Sequence, residues 1–437
     1  MMGFNLTIIL CTVFLLLFSG TWLSIALFGT GMIALTFLGK GGMAHVLESV
    51  MYNAVASYSL VAIPLFVLMG EILIESGCSK QIFRGVKRIL KPVPGGMLHA
   101  NIVACSIFAA CSGSSTATTV AVGGVSRPEL EAQGYAKGIT LGSICAGGTL
   151  GVLIPPSIMM ILYGSLTANS IGKLFIAGII PGVCLAALFM IYIGGACTVH
   201  KDWAPPREKP ESFGAYMKDF ILGLFDLWPV ILIIGGIMVS IYGGFATPTE
   251  AGAVACVVSF LLWTFYYRTL TWEKFKNAIS ETVIFTCQLM ICVIGARAIG
   301  QALSLLKIPV QLSNFVASLD ISRYVIWGCI VIIYMIMGCL VDGIDLLIIT
   351  VPVFYPIVTG ALGFDPIWFG VTLTVLLEMS LVTPPVGFNL YVTHTISGSK
   401  SMMDTIKGTV PFVIVMLVCI VILTIFPIMA TYLPNAM

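Results

Sequence analysis

The sequence predicts an all-α polytopic membrane protein built as an inverted repeat, and three observations carry that prediction. Hydrophobic residues fill 59% of the 437 positions, charged residues only 9%, and the mean hydropathy is +1.06. A soluble domain carries about a quarter charged residues, so this chain has more apolar surface than a water-soluble fold can hide. Second, the dipeptide Pro-Pro occurs twice inside apolar runs, at Pro155-Pro156 and Pro384-Pro385, a spacing of 385 − 156 = 229 residues. Pro181 and Pro411 keep nearly the same register, 411 − 181 = 230. Third, Lys and Arg gather in a few short stretches between the apolar runs.

Apolar runs long enough to cross about 30 Å of hydrocarbon fall at 4–38 (interrupted near Ser19-Gly20), 59–76, 138–163, 174–197, 221–242, 247–267, 280–305, 366–394 and 408–431. Two further runs, 96–125 and 324–360, have Gly, Ser or Asp near their middles and polar residues at both ends. That pattern suits a re-entrant hairpin, which a membrane tolerates only where protein or a water-filled cavity covers it. Lys80, Arg84, Lys87, Arg88 and Lys91 crowd one loop, Lys201, Arg207, Lys209 and Lys218 a second, Arg268, Lys274 and Lys276 a third, and Lys400 and Lys407 a fourth. The positive-inside rule makes all four cytoplasmic. If 4–38 crosses twice, the set closes without contradiction, both termini lie outside, and the two hairpins open to opposite faces. The expected organisation is a first repeat over 1–200, a cytoplasmic linker over 201–220 read as solvated with no further role, and a second repeat over 221–437. Met1 to Leu6 lack the basic start of a secretory signal and no small-residue cleavage site follows, so the first run is expected to be retained.

Several function classes are disfavoured. A net charge of +2 without clustered basic residues argues against nucleic acid. The thirteen cysteines fall singly in apolar segments without a CxxC pair, so no disulfide framework is expected. There is no GxSxG, HExxH or GxxxxGK[ST] signature, so the chain is expected not to be an enzyme. Ser112 or Ser114 as a nucleophile would need a base, and none stands at a persuasive position.

The chemistry sits at the hairpins and breaks. Cys111-Ser112-Gly113-Ser114-Ser115-Thr116-Ala117-Thr118-Thr119 is too polar to face lipid; a non-helical tip of small residues offers carbonyl and hydroxyl oxygens, the ligands sodium requires. At the 229 offset Gly113-Ser114 meets Asp342-Gly343 in the second hairpin, which suggests two related ion sites. Close helix packing is the competing account of such small residues. Each Pro-Pro removes two amide donors, so carbonyls one turn earlier lose their partners, and half-helix ends direct a dipole at whatever binds there. A chain broken twice in this way reads as a secondary transporter. Arg297 is the sole Arg or Lys deep in an expected span; its fork suits a carboxylate, either a substrate's or that of Glu378, Asp342 or Asp345. His394 reads as an interfacial histidine, with proton relay the alternative. Glu71 and Glu250 lie near run ends and are expected to reach water.

Ser112-Gly113-Ser114-Ser115, the run from Gly151 through Pro155-Pro156-Ser157 to Gly164, Ser170 to Gly182, Ala246-Thr247-Pro248-Thr249-Glu250-Ala251-Gly252-Ala253, and Thr383-Pro384-Pro385-Val386-Gly387 resemble the large membrane subunit of TRAP (tripartite ATP-independent periplasmic) transporters, over essentially the whole chain. The resemblance implies a multi-pass permease of a bacterial or archaeal inner membrane, working as an elevator. It implies coupled import of sodium and a carboxylate, with a soluble periplasmic binding protein and a separate small four-helix membrane subunit as partners. Two Na+ sites are implied, at Ser112, Gly113, Ser114, Ser115 and Pro155 and at Gly338, Asp342, Thr383 and Pro384. Ser157, Gly387, Asn389 and Arg297 are the candidate substrate-binding residues, Arg297 being a departure from the family's usual apolar residue. C4-dicarboxylates, 2-oxo acids, sugar acids and ectoine-like solutes all fit. A proton-coupled carrier using Asp342, Glu378 and His394, an anion channel and a membrane-embedded hydrolase are the rival readings.

Overall fold

Long apolar stretches with few donors other than the backbone must satisfy their own amides, and the helix is the local way to do so. The computed structural model describes residues 7–9, 11–13, 15–16, 19–38, 44–206, 212–398 and 401–436, and among them there are helices and turns but no strand. The elements are α1 (Leu23–Ile33), α2 (Ala44–Val55), α3 (Ala62–Ser76), α4 (Cys78–Leu90), α5 (Gly96–Ser112), α6 (Ser115–Ala132), α7 (Lys137–Leu153), α8 (Ile158–Thr167), α9 (Ile171–Val199) and α10 (Phe213–Tyr242). They continue as α11 (Pro248–Leu261), α12 (Trp272–Leu305), α13 (Ile308–Ser318), α14 (Arg323–Gly338), α15 (Gly343–Tyr355), α16 (Pro366–Leu381), α17 (Phe388–Ser397), α18 (Met402–Ile425) and α19 (Ile428–Asn435). Eight helical stretches among the described residues are long and apolar enough to span a membrane. The chain is therefore an all-α polytopic membrane protein.

Polar residues at the starts of these helices explain where they begin. Ser114, Ser157 and Ser170 accept from the amides of Ala117, Met160 and Lys173, and Thr247 with Glu250 forms a reciprocal capping box. Gly77 at φ +79° and Gly113 at φ +59° end α3 and α5 in the left-handed conformation. The Pro-Pro pairs separate α7 from α8 and α16 from α17, while Pro181 and Pro411 are carried inside α9 and α18.

The basic stretch 80–91, expected as a loop, is instead mostly helix α4. It is amphipathic: Ile82, Phe83 and Val86 are buried, whereas Arg84 and Arg88 reach the Asp226 carboxylate of α10 at 2.7 Å each, and Lys87 meets Glu129 of α6. The run 96–125 forms two helices, α5 and α6, the second reaching Ala132, and the run 408–431 is divided by Pro427 into α18 and α19. Helices α2 and α13 were not expected from apolar length at all. Part of the run 4–38, together with Arg207, Lys209 and Lys400, lies outside the described residues.

The two halves exchange contacts reciprocally. Helix α6 packs on α17 and α15 packs on α8; α7 packs on α18 and α16 on α9. Small residues permit the closest of these approaches: a Cβ at Gly142 of α7 would strike the carbonyl of Gly408 in α18, and a Cβ at Gly408 that of Gly138. Helix α7 is buried along its length from Ile139 to Leu153.

Candidate functional site

The site grows from two helix–turn–helix tips. Helix α5 ends at Ser112 and α6 starts at Ser115, with Ser114 as its cap; α14 ends at Gly338 and α15 starts at Gly343, with Asp342 accepting from the Ile344 amide at 3.2 Å. The equivalent caps are therefore Ser114 and Asp342, at 342 − 114 = 228, one residue off the register of the prolines.

Each tip lies against the break of its own half. Gly113 is so near break one that an added Cβ would stand 3.1 Å from the Pro156 carbonyl oxygen. One at Gly151 would stand 2.7 Å from the Ser114 carbonyl oxygen. Ser112 Oγ and Thr118 Oγ1 lie 2.8 Å apart, and Thr118 donates to the Ser114 carbonyl at 2.8 Å. In the second half the Val386 amide donates to the Cys339 carbonyl at 3.2 Å, Gly338 abuts Ser380, and Thr383 Oγ1 donates to the Met379 carbonyl at 2.6 Å. Pro155 and Pro156 offer no amide to the carbonyls of Gly151 and Val152. Both sets are thus rich in neutral oxygens, with Asp342 the added carboxylate of the second. That donor chemistry suits a hard monovalent cation. No group of three His, Cys, Asp or Glu among the described residues is placed to hold a metal.

Crossed contacts join the two sets. Asn389, at the start of α17, donates to Ser115 Oγ of α6 at 2.7 Å with both residues buried. Glu378 of α16 is fully buried and neither carboxylate oxygen has a hydrogen-bond partner, and the Asn389 Oδ1 likewise has none. A Cβ at Gly343 of α15 would stand 2.9 Å from Met159 Cε of α8.

Between the tips lies a cavity of about 630 Å³. Ser114 to Ala117, Ile158 with Met159, Asp342 with Ile344 and Asp345, and Phe388 contribute to its wall. These are the first turns of α6, α8, α15 and α17, so four helix N-termini, each carrying a partial positive charge, border one space. Glu71 and Ile74 of α3 and Glu281, Phe285 and Gln288 of α12 line it as well.

The expected residues divide accordingly. Gly113, Ser114, Ser115 and Asp342 line the cavity. Pro155, Gly338, Thr383 and Pro384 are not among its lining residues. Ser157 caps α8 and is fully buried, and Gly387 at φ +37° precedes α17. Arg297 is elsewhere: its guanidinium donates to the Ser165 carbonyl at 2.8 Å near the C-terminal end of α8, and no ion pair joins it to Glu378, Asp342 or Asp345. His394 is half-buried with Nδ1 unpartnered, and Glu250 is tied up in its capping box. Glu71, Glu281 and Gln288 were missed as site residues because each sits on a helix whose sequence reads as plain span.

Comparison with known proteins bears on this geometry. Residues 10–429 match the family model described as the tripartite ATP-independent periplasmic transporter, DctM component. The chain belongs to this family. It is 35% identical over 86% of its length to the C4-dicarboxylate TRAP transporter large permease protein DctM of Pseudomonas aeruginosa, covering 86% of that protein. It is 30% identical to the ectoine TRAP transporter large permease protein TeaC of Halomonas elongata, over 91% of each chain, and 30% identical to the sialic acid TRAP transporter large permease protein SiaM of Vibrio cholerae, over 96% of each. The chain is thus a TRAP large permease, a multi-pass membrane transport subunit of a family whose relatives are named for different solutes.

Proposed function

We propose that this permease imports a carboxylate-bearing solute coupled to sodium across a bacterial inner membrane, the solute being handed over by a periplasmic binding protein. The observation that carries the reading is the convergence of four helix N-termini on one cavity between the two hairpin tips. N-terminal turns present unpaired amides and a positive dipole end to an anion, so a carboxylate can be held without an arginine. The family is tripartite by description, which supports a small membrane subunit and a binding protein as partners of this chain.

The two oxygen sets are the assigned sodium sites: Ser112, Gly113, Ser114 and Ser115 with Pro155 and Pro156, and Gly338 and Asp342 with Thr383 and Pro384. Sodium, when bound, supplies the driving gradient and positive charge beside the solute. Within the chain, Ser114 and Asp342 fix the starts of α6 and α15 and so the direction of their dipoles, and the Asn389–Ser115 bond holds the two sets in register. The crossed packing of α6 on α17 and α15 on α8 favours the hairpins and broken helices moving as one body, as an elevator does, because parting α6 from α17 would break the buried Asn389–Ser115 bond at about 1–3 kcal/mol. Glu71 and Glu281 lie toward those ends of α3 and α12 that adjoin the basic stretches, so by the positive-inside rule the cavity faces the cytoplasm in this conformation.

The test is uptake into proteoliposomes holding the complete transporter, with an inward sodium gradient or an inward proton gradient imposed alone. Accumulation under the sodium gradient is expected. Equal accumulation driven by protons without sodium would remove the sodium sites, and non-saturating flux without the binding protein would make the chain a channel.

A further inference from the structure

One acid in the membrane interior has no partner in the site as described. Glu378 of α16 is fully buried, and neither of its carboxylate oxygens has a hydrogen-bond partner among the described residues. The Ser115 hydroxyl of α6 and the Asp342 carboxylate lie close enough to act on it, and no basic side chain does among the described residues. Glu378 also stands in the last turn of α16, where the helix dipole is negative and disfavours a carboxylate. The first turn of α6 offers the opposite end of a dipole, but that is worth only about half an elementary charge, and no amide of it donates to Glu378. A buried ionised carboxylate persists where a cation or several hydrogen bonds offset its lost hydration. Hydrogen bonds do not fill that role here.

Ser115 ties this acid to the first oxygen set. Its hydroxyl oxygen accepts from Asn389 Nδ2 at 2.7 Å. The same hydroxyl can turn its proton to Glu378 and offer its second lone pair to a cation, which uses its full bonding capacity. Asn389 keeps a buried Oδ1 without a partner on the same bridge. The second oxygen set has its own carboxylate in Asp342, whereas Ser112, Gly113, Ser114, Ser115 and Pro155 have none. At the proline offset Glu378 meets Thr149, 378 − 229 = 149, whose hydroxyl merely donates to the Ala146 carbonyl at 2.6 Å. The acid thus has no counterpart in the first half, and it serves the first half's hydroxyl.

We propose that Glu378 is the charge partner of the cation at the first hairpin tip, acting through Ser115, so that each ion set has one carboxylate and the second half provides both. Glu378 is a positioning residue in this arrangement, which deepens the sodium reading above and rests on it. Two cations beside Asp342 and Glu378 leave the occupied tips without net charge in a low-dielectric interior.

The permease purified with its small subunit is melted in detergent at increasing sodium chloride, with choline chloride holding the ionic strength constant. Sodium-driven uptake is titrated in parallel in proteoliposomes supplied with the binding protein. Glu378→Gln keeps the size of the side chain and removes its charge. It should melt no lower than the parent in choline, yet need about tenfold or more sodium for half-maximal stabilisation and for half-maximal uptake. Its KM for solute at saturating sodium should match the parent's. Glu378→Gln with Ser115→Asp returns a carboxylate to the first set and should recover part of the sodium affinity, which would not happen if Glu378 were only structural. A Glu378→Gln variant with the parent's sodium dependence in both assays would overturn the inference and leave the sodium reading standing. So would one that melts lower in choline and gains nothing from Ser115→Asp. A parent that sodium neither stabilises nor drives would remove the sodium reading and this inference with it.

Discussion

Asp342 and Ser114 occupy equivalent positions, yet one brings a charge and the other a hydroxyl. Each caps its own helix, so a change at either alters both a candidate ion ligand and the aim of a helix dipole. Asp342→Asn and Ser114→Ala should each raise the sodium concentration needed for half-maximal uptake several-fold, with activity recovered at high sodium; a cap lost at Ser114 also costs about 1 kcal/mol of helix stability. Unchanged sodium titrations in both variants would put the ions elsewhere. Arg297 is expected to behave differently from a substrate clamp. Its bond to the Ser165 carbonyl satisfies one of the last carbonyls of α8, a role a lysine ammonium also fills. Arg297→Lys should therefore keep uptake within about twofold of the parent, because no bidentate fork is in use; a loss of tenfold or more would return Arg297 to the solute. The hairpin-tip residues were legible in the sequence because polar side chains stand out in apolar runs. Glu71 and Glu281 were not, since a carboxylate near a run end ordinarily reaches water, and only the approach of α3 and α12 to the tips gives them a cavity to line.

The helix breaks were the elements the sequence wrote most plainly, since a Pro-Pro pair ends a helix whatever surrounds it. The first and last helical residues followed local caps, which is why the tip register is 228 and not 229: Ser114 and Asp342 start their helices, and the prolines are a separate landmark. Helix α4 was hidden because four basic residues dominate its composition, while its buried apolar stripe is only Cys78, Ile82, Phe83 and Val86. Helices α2 and α13, at 12 and 11 residues, are too short to register as spans. Close packing of α7 on α18 likewise leaves no trace in hydropathy, and it makes a firm expectation. Gly142→Val or Gly408→Val should disrupt the pair, because the added atoms meet backbone carbonyls that cannot rotate away. Overpacking of this kind costs about 1–3 kcal/mol or more. The melting temperature of the detergent-purified protein should fall by several degrees; an unchanged melt would mean that the helices sit farther apart.

At the scale of the molecule, charge organises what hydropathy leaves undirected. The network of Arg84, Arg88 and Asp226 fastens α4 to α10, whereas Lys87 fastens the same helix to α6 of the first hairpin. Helix α4 thus bridges the long span α10 and a tip-bearing helix through its basic residues. Spans α10, α11 and α12 present many exposed large apolar residues, among them Phe225, Leu232, Val254, Val257, Val283 and Ile291. Exposed apolar faces of this kind need an apolar cover in a membrane. The family is tripartite by description, so all components are expected to be required. Proteoliposomes with the permease, the small subunit and the binding protein together should accumulate solute under a sodium gradient. Omitting any one should lower the initial rate by about tenfold or more, since a delivered ligand works at an effective concentration near millimolar that free solute does not reach. Full-rate uptake by the 437-residue chain alone would overturn the tripartite assignment for this permease, and it would require the cavity itself to bind dilute solute tightly.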